Sequence, residues 1–310
     1  MTDLAELLRA HTGRYPDKRW DWHAFPANEG FAELERAQMR YIGSGGSPKQ
    51  DPGSLPAGAF SCSLIYQEPG RKASVHHHQI EELFFVHRGQ LTMTWQFGDE
   101  TVDLTCGPGD AVLNPPGRAH GFRNAGTEDC VMQIMVSTAA PMMPTYTDHP
   151  KQHPVSPLRP AAPAARDGYL AQVEPHVARA SRTQRLVESV DGGTYAVRPY
   201  IMQPEHGGLV APAHFTFALG ELTRGAVTPA YRLASEEAFM ILEGVLDVEL
   251  FDGANAATQR LGARDLVVVP AGAERRLRNA DAGPVRFATI VGDPASRPFG
   301  WRDVAVAARR

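Results

Sequence analysis

The chain has 310 residues, 43% apolar and 21% charged, which is enough for sizeable cores and room for about two domains. A formal net charge of −4 leaves no broad basic surface and argues against nucleic acid or an anionic membrane as a partner. No stretch approaches the roughly 20 apolar residues of a membrane span. The opening MTDLAELLRAHTGR lacks the basic head and apolar run of a secretion signal.

Residues 1–57 carry two weak helical patterns, around Leu4–Ala10 and Glu29–Arg40. A Gly/Pro/Ser loop, GSGGSPKQDPGSLPAG, follows. From Phe60 to Val136, short runs rich in Val, Leu, Phe and Thr alternate with Gly/Pro/Asp turns, the pattern of a compact β domain. Residues 137–165 are proline-rich with little periodicity and read as a linker; 166–194 are polar with scattered helical character. The short-strand texture returns from about Tyr195 to Val291. Three cysteines, Cys62, Cys106 and Cys130, with no CxxC pair, read as reduced thiols of a cytoplasmic protein.

The two β regions repeat each other at a constant offset of 155 positions. Gly70 matches Gly225, Glu82 matches Glu237 and Gly89 matches Gly244. Asp110, Pro115, Gly117 and Asn124 match Asp265, Pro270, Gly272 and Asn279. The chain is two copies of one β unit with unequal chemistry.

In the first copy, His76 and His78 are two residues apart, so on a strand both imidazoles share a face. Glu82 follows beyond a turn at Gln79–Ile80. A second segment, GDAVLNPPGRAHGFRN, turns at Pro115–Gly117 and enters a strand holding His120. Three imidazoles and a carboxylate suit Fe(II), Mn(II), Ni(II), Cu(II) or Zn(II) and leave coordination positions open. His77 alternates to the opposite face.

Gly70, His76, His78, Glu82 and Gly89 fit the pattern G-x5-H-x-H-x3-E-x6-G at every spacing. Gly109, Pro115, Gly117, His120 and Asn124 fit G-x5-P-x-G-x2-H-x3-N. In these ten positions the chain resembles the cupin superfamily. The resemblance covers most of residues 58–136 and 213–291. It implies an all-β fold of two double-stranded β-helix (jelly-roll) barrels with a short helical N-terminal extension and a linker. The implied divisions are an extension packing on the barrels (1–57), a metal-binding barrel (58–140), a Pro-rich linker with some helix (141–194) and a degenerate barrel (195–310). One divalent metal is implied in the first barrel, held by His76, His78, Glu82 and His120. A homodimer is also implied.

Phe84 and Phe122 stand two residues from a ligand and are candidates for the wall of a substrate pocket, with Trp95 less favoured by position. Arg71 and Lys72, just before the ligand strand, are candidates for holding an anionic substrate group.

The second copy places Tyr231, Leu233, Glu237 and Arg275 where the ligands stand in the first. Leucine cannot ligate and arginine stays cationic, so no transition metal is expected there. Glu237 would be buried without a metal, and an ion pair with Arg275 is expected to replace the metal's charge, with Tyr231 hydrogen-bonded to the carboxylate. The glycine before Asp110 becomes Arg264 in this copy.

Three functions compete for the metal barrel. Resemblance to two-barrel cupin dioxygenases favours an Fe(II) enzyme that cleaves a small phenolic, aromatic or enolic substrate with O2. Glu82 would then be a proton acceptor as well as a ligand, as in flavonol-cleaving members. The alternative is a non-oxidative decarboxylase, isomerase, lyase or aminohydrolase using Mn, Ni or Zn as Lewis acid. The third is a non-catalytic ligand-binding or sensor protein. All three call for a small-molecule partner.

Overall fold

A computed structural model describes residues 3–152 and 158–302. Its chain divides into two units. One comprises 19–54 and the described residues of 60–182; the other comprises 55–59 and the described residues of 1–18 and 183–310. Both are β barrels of jelly-roll type. Among the described residues no helix is long and apolar enough to cross a membrane.

The first barrel is a pair of six-stranded sheets. One runs Val177–Ala178, Ala111–Asn114, Glu82–Arg88, Cys130–Val136, Ser61–Gln67, Ala37–Ile42; the other runs Thr145–Tyr146, Lys72–His77, His120–Arg123, Leu91–Phe97, Glu100–Cys106, Arg159–Pro160. The strand residues that point inward, among them Phe84, Val86, Met93, Trp95 and Ile134, form one apolar core. Cys106 and Cys130 belong to that core, Cys62 is buried elsewhere in the unit, all three are free, and burial pushes each thiol up to about 12.

The second barrel has a seven-stranded sheet and a three-stranded one, around a core that includes Phe239, Val248, Val267 and Phe287. The 155-residue offset reappears in its detail. Asn124 Nδ2 donates to the carbonyls of Gln67 and Glu128, and Asn279 Nδ2 donates to those of Leu222 and Gly283, each partner shifted by the same offset. Gly109 has φ 87°, and Arg264, its counterpart, keeps the left-handed backbone at φ 69°. That conformation costs a side-chain-bearing residue roughly 1–2 kcal/mol. Arg264 donates to the Tyr15 hydroxyl at 2.8 Å and stacks over that ring.

Three stretches differ from expectation. Leu4–Ala10 is a helix capped by Asp3, but the pattern at Glu29–Arg40 resolves into a short 3-10 turn, Ala32–Leu34, and a strand, Ala37–Ile42. That strand pairs with Ser61–Gln67 and is buried throughout, so sheet hydrogen bonds override its weak helical periodicity. Residues 1–57 do not act as one extension: 3–18 belong to the second unit and 19–54 to the first. The span 141–194 is likewise more than a linker. Up to residue 182 its described part belongs to the first unit, with a helix, Pro163–Val173, and strands at Thr145–Tyr146 and Val177–Ala178; residues 153–157 lie outside the described residues.

Candidate metal centre

The strand Lys72–His77 delivers His76 to the interior and His78 follows directly after it; Glu82 opens the next strand and His120 begins His120–Arg123. Antiparallel pairing sets His76 opposite His120. All four side chains are buried, none more than 5% exposed. Glu82 Oε2 is the hub: it lies 2.8 Å from His120 Nε2, 3.6 Å from His78 Nε2 and 4.0 Å from His76 Nε2. The donor atoms of His76, His78 and Glu82 all lie within 4.8 Å of one another. Ligand atoms bound about 2.1 Å from one ion would stand roughly 3 to 4 Å apart, so the spacing suits a single cation.

The hydrogen-bond pattern fixes two tautomers. His76 Nδ1 donates to the Ser74 carbonyl at 2.7 Å, and His120 Nδ1 donates to the Arg118 carbonyl at 2.8 Å. A carbonyl only accepts, so both protons sit on Nδ1 and both Nε2 lone pairs face the site. His120 Nε2 and the Glu82 carboxylate are then two acceptors at 2.8 Å. Such a contact holds only with a further proton or a cation between them. The donor set therefore fits a divalent metal.

Burial pulls the His76 imidazole down to about 3, helped by His120 and His78, and lowers His78 as well. For Glu82, burial alone would raise the carboxyl; the imidazoles of His78, His120 and His76 outweigh it and hold the group at about 2. Neutral His76 and His78 rings and an ionised Glu82 carboxylate are the protonation states a metal requires of its ligands.

The space at this centre is about 20 Å³, lined by His76, His78 and Glu82 together with Phe25, Arg36, Phe122, Ile134, Pro144 and Tyr146. Of the pocket candidates from sequence, Phe122 lines it. Phe84 is fully buried in the core, 6.1 Å from the His120 ring and 5.1 Å from Phe122. Trp95 is in the core too, donating from Nε1 to Asn114 Oδ1 at 3.0 Å. Arg71 lies at the surface, paired with Glu35 and Glu68, because its strand position precedes the inward-facing run. In their place the wall contains Phe25, Arg36 and Tyr146. Arg36 precedes the added strand Ala37–Ile42, and Tyr146 pairs opposite His76. No spacing in the sequence flags either, since both come from segments outside the barrel repeat.

In the second barrel Tyr231 pairs opposite Arg275, as His76 does opposite His120. Arg275 Nε donates to Glu237 Oε2 at 2.9 Å, the Tyr231 hydroxyl donates to the same oxygen at 2.9 Å, and Thr289 donates to Oε1 at 3.1 Å. Burial, and then the Glu237 charge, raise Tyr231 well above the usual phenol range, which keeps it a donor. Leu233 is half-buried and offers no donor atom to the cluster. Among the described residues, His76, His78 and Glu82 are the one group of three or more His, Cys, Asp or Glu side chains spaced for a metal.

A family model described as a cupin domain matches residues 63–137 and again 218–291. None of the curated proteins matches the chain in sequence. Among solved structures, a deletion mutant of Bacillus subtilis oxalate decarboxylase is similar with a TM-score of 0.67 and 14% identity, over 92% of this chain and 77% of that one. The Lactobacillus farciminis oxalate decarboxylase formate complex gives 0.64 and 14%, over 91% and 86%. A structure concerned with the Mn(II) centres of the Bacillus subtilis enzyme gives 0.65 and 14%, over 92% and 77%. At this identity the likeness speaks for the fold.

Proposed function

The chain is a two-barrel member of the cupin superfamily, and from that premise we propose that its first barrel is a divalent-metal centre for non-oxidative chemistry on a small molecule. The observation that carries the reading is the buried cluster of His76, His78 and Glu82, whose donor atoms lie within 4.8 Å of one another, with His120 Nε2 2.8 Å from Glu82 Oε2. His76, His78, Glu82 and His120 would be the ligands, with Glu82 as the one anionic member. The metal would supply Lewis acidity toward a substrate oxygen. The protein's own part is to fix the imidazoles through the Ser74 and Arg118 carbonyls and to keep bulk water out of a space of about 20 Å³.

The sequence placed an Fe(II) dioxygenase first. The donor set accepts Fe(II) as well as Mn(II), but the similar structures are decarboxylases and one concerns Mn(II) centres, which supports the non-oxidative alternative and Mn(II). A role for Glu82 as proton acceptor belongs with the dioxygenase reading; the low position of its carboxyl favours a ligand instead. Elemental analysis of the purified chain, followed by turnover of small carboxylic and enolic acids by the Mn(II)-loaded protein in an oxygen-electrode cell, tests the proposal. Substrate loss without matching oxygen uptake is expected. Oxygen uptake equal to substrate loss would establish the dioxygenase, and a chain that retains no metal would end both.

A further inference from the structure

The metal cavity has room for about one water-sized particle, 20 Å³. A metal would fill it, so a substrate needs space elsewhere. In the same unit a cleft of about 550 Å³ is lined by Trp22, Phe25, Pro26, Leu34, Arg36 and Lys49, among others. That is the size range of small-molecule sites. Phe25 and Arg36 line both spaces and so form the wall between them.

Arg36 is an unusual wall residue. It is 6% exposed, and its guanidinium lies 4.0 Å from the Phe25 ring centroid and 5.6 Å from that of Phe122. Its Nη1 donates to the Leu34 carbonyl, but Nε is buried with no acceptor. Among the described residues no carboxylate lies within ion-pair distance of it. Burial lowers the guanidinium to about 10, against the pull of Tyr146 and Glu82, so it is still a cation at neutral pH. A buried cation without a paired carboxylate is costly, and the Phe25 ring, the Leu34 carbonyl and the more distant Glu82 offset that cost only in part. The acidic residues of the cleft, Glu29 and Glu35, are both exposed to solvent.

We propose that this cleft is the substrate chamber and that Arg36 binds the carboxylate of an organic acid whose apolar or aromatic body lies against Trp22, Phe25 and Leu34. The planar guanidinium, 4.0 Å over the Phe25 ring, carries donors suited to a carboxylate. The acid end is thereby presented at the wall of the metal cavity, while the body stays in the larger space.

The proposal rests on the metal centre above, yet the two fail separately. Metal content reports on the first, and calorimetric titration of the metal-loaded full chain reports on the second. Phenylacetate, acetate and neutral phenylacetamide serve as probes. Phenylacetate should bind at least about tenfold tighter than either of the others, as expected for a charge-assisted pair plus ring burial. Arg36→Met should lose the advantage of phenylacetate over phenylacetamide while metal content and melting temperature are kept, because Met fills a similar volume without a charge. Trp22→Ala, at a position 48% exposed and so safe for folding, should weaken phenylacetate and leave acetate unchanged. Equal binding of the acid and its amide, or unchanged phenylacetate affinity in metal-replete Arg36→Met, would overturn the proposal; so would acetate binding as tightly as phenylacetate.

Discussion

Arg275 and Glu237 form a buried ion pair, Nε to Oε2 at 2.9 Å, at the two positions that hold His120 and Glu82 in the metal barrel. A side-chain cation occupies the place where the other copy calls for a metal cation. The carboxylate is retained and its counter-charge has become part of the chain.

The pair's energetics are asymmetric. Removing only the cation strands a buried carboxylate, whereas removing both charges leaves a neutral interior. Arg275→Met should lower unfolding free energy by about 3–5 kcal/mol, and Arg275→Met with Glu237→Gln should recover most of it. Urea denaturation of the two variants measures this. Equal losses in both would mean that packing of the arginine stem, and not its charge, matters at this position.

One metal per chain is the expected stoichiometry. His78→Ala should bring metal content near zero, since it removes one of three donors already grouped within 4.8 Å. Tyr231→Phe should leave it unchanged, because that hydroxyl serves Glu237. Elemental analysis distinguishes the cases; a fall by half in the Tyr231 variant would reveal a second site.

Acid should destabilise the metal-free protein. His76 is held down to about 3 in the folded state against 6.5 unfolded, and His78 is also lowered. Between those values the unfolded chain binds more protons, so stability is lost as pH falls below about 6.5. The slope per histidine is up to about 1.4 kcal/mol per pH unit. Glu82, lowered from 4.5 to about 2, adds to the loss from pH 4.5 downward. Thermal melts from pH 7 to 4 should show the decline, and His76→Gln should flatten it. A pH-independent melting temperature would contradict the neutral, buried imidazoles.

Much of the metal centre was legible because its chemistry is local. His76, His78 and Glu82 fall within seven residues, and period-two alternation alone places both histidines on one face. The loss of ligands in the second copy could be read by counting 155 positions. Less was legible where side chains carry no period. Phe84 and Trp95 have the same alternation as residues lining the site, yet barrel depth puts them in the core. Arg36 sits in a stretch with a helical pattern that became an edge strand, so nothing local pointed it toward the metal cavity.

The sequence by itself determined two β units, the four side chains that cluster at the candidate centre and those that replace them in the second copy, because fixed spacings on strands translate directly into faces. Only the tertiary structure decided which flanking segment completes which barrel. Asp110 accepts from Arg179 and from the Ala180 N–H, and Asp265 accepts from Arg14 and from the Tyr15 N–H. Strands Val177–Ala178 and Thr12–Gly13 pair at positions of the two barrels that are 155 residues apart. So the described residues of 1–18, which precede the first barrel in sequence, close the second, and the segment after the first barrel closes the first. Backbone hydrogen bonds of two-residue strands and a shared aspartate make these joins. Neither leaves a hydrophobic period in the sequence, and so the docking of each arm, like the burial of Arg36, was set by packing.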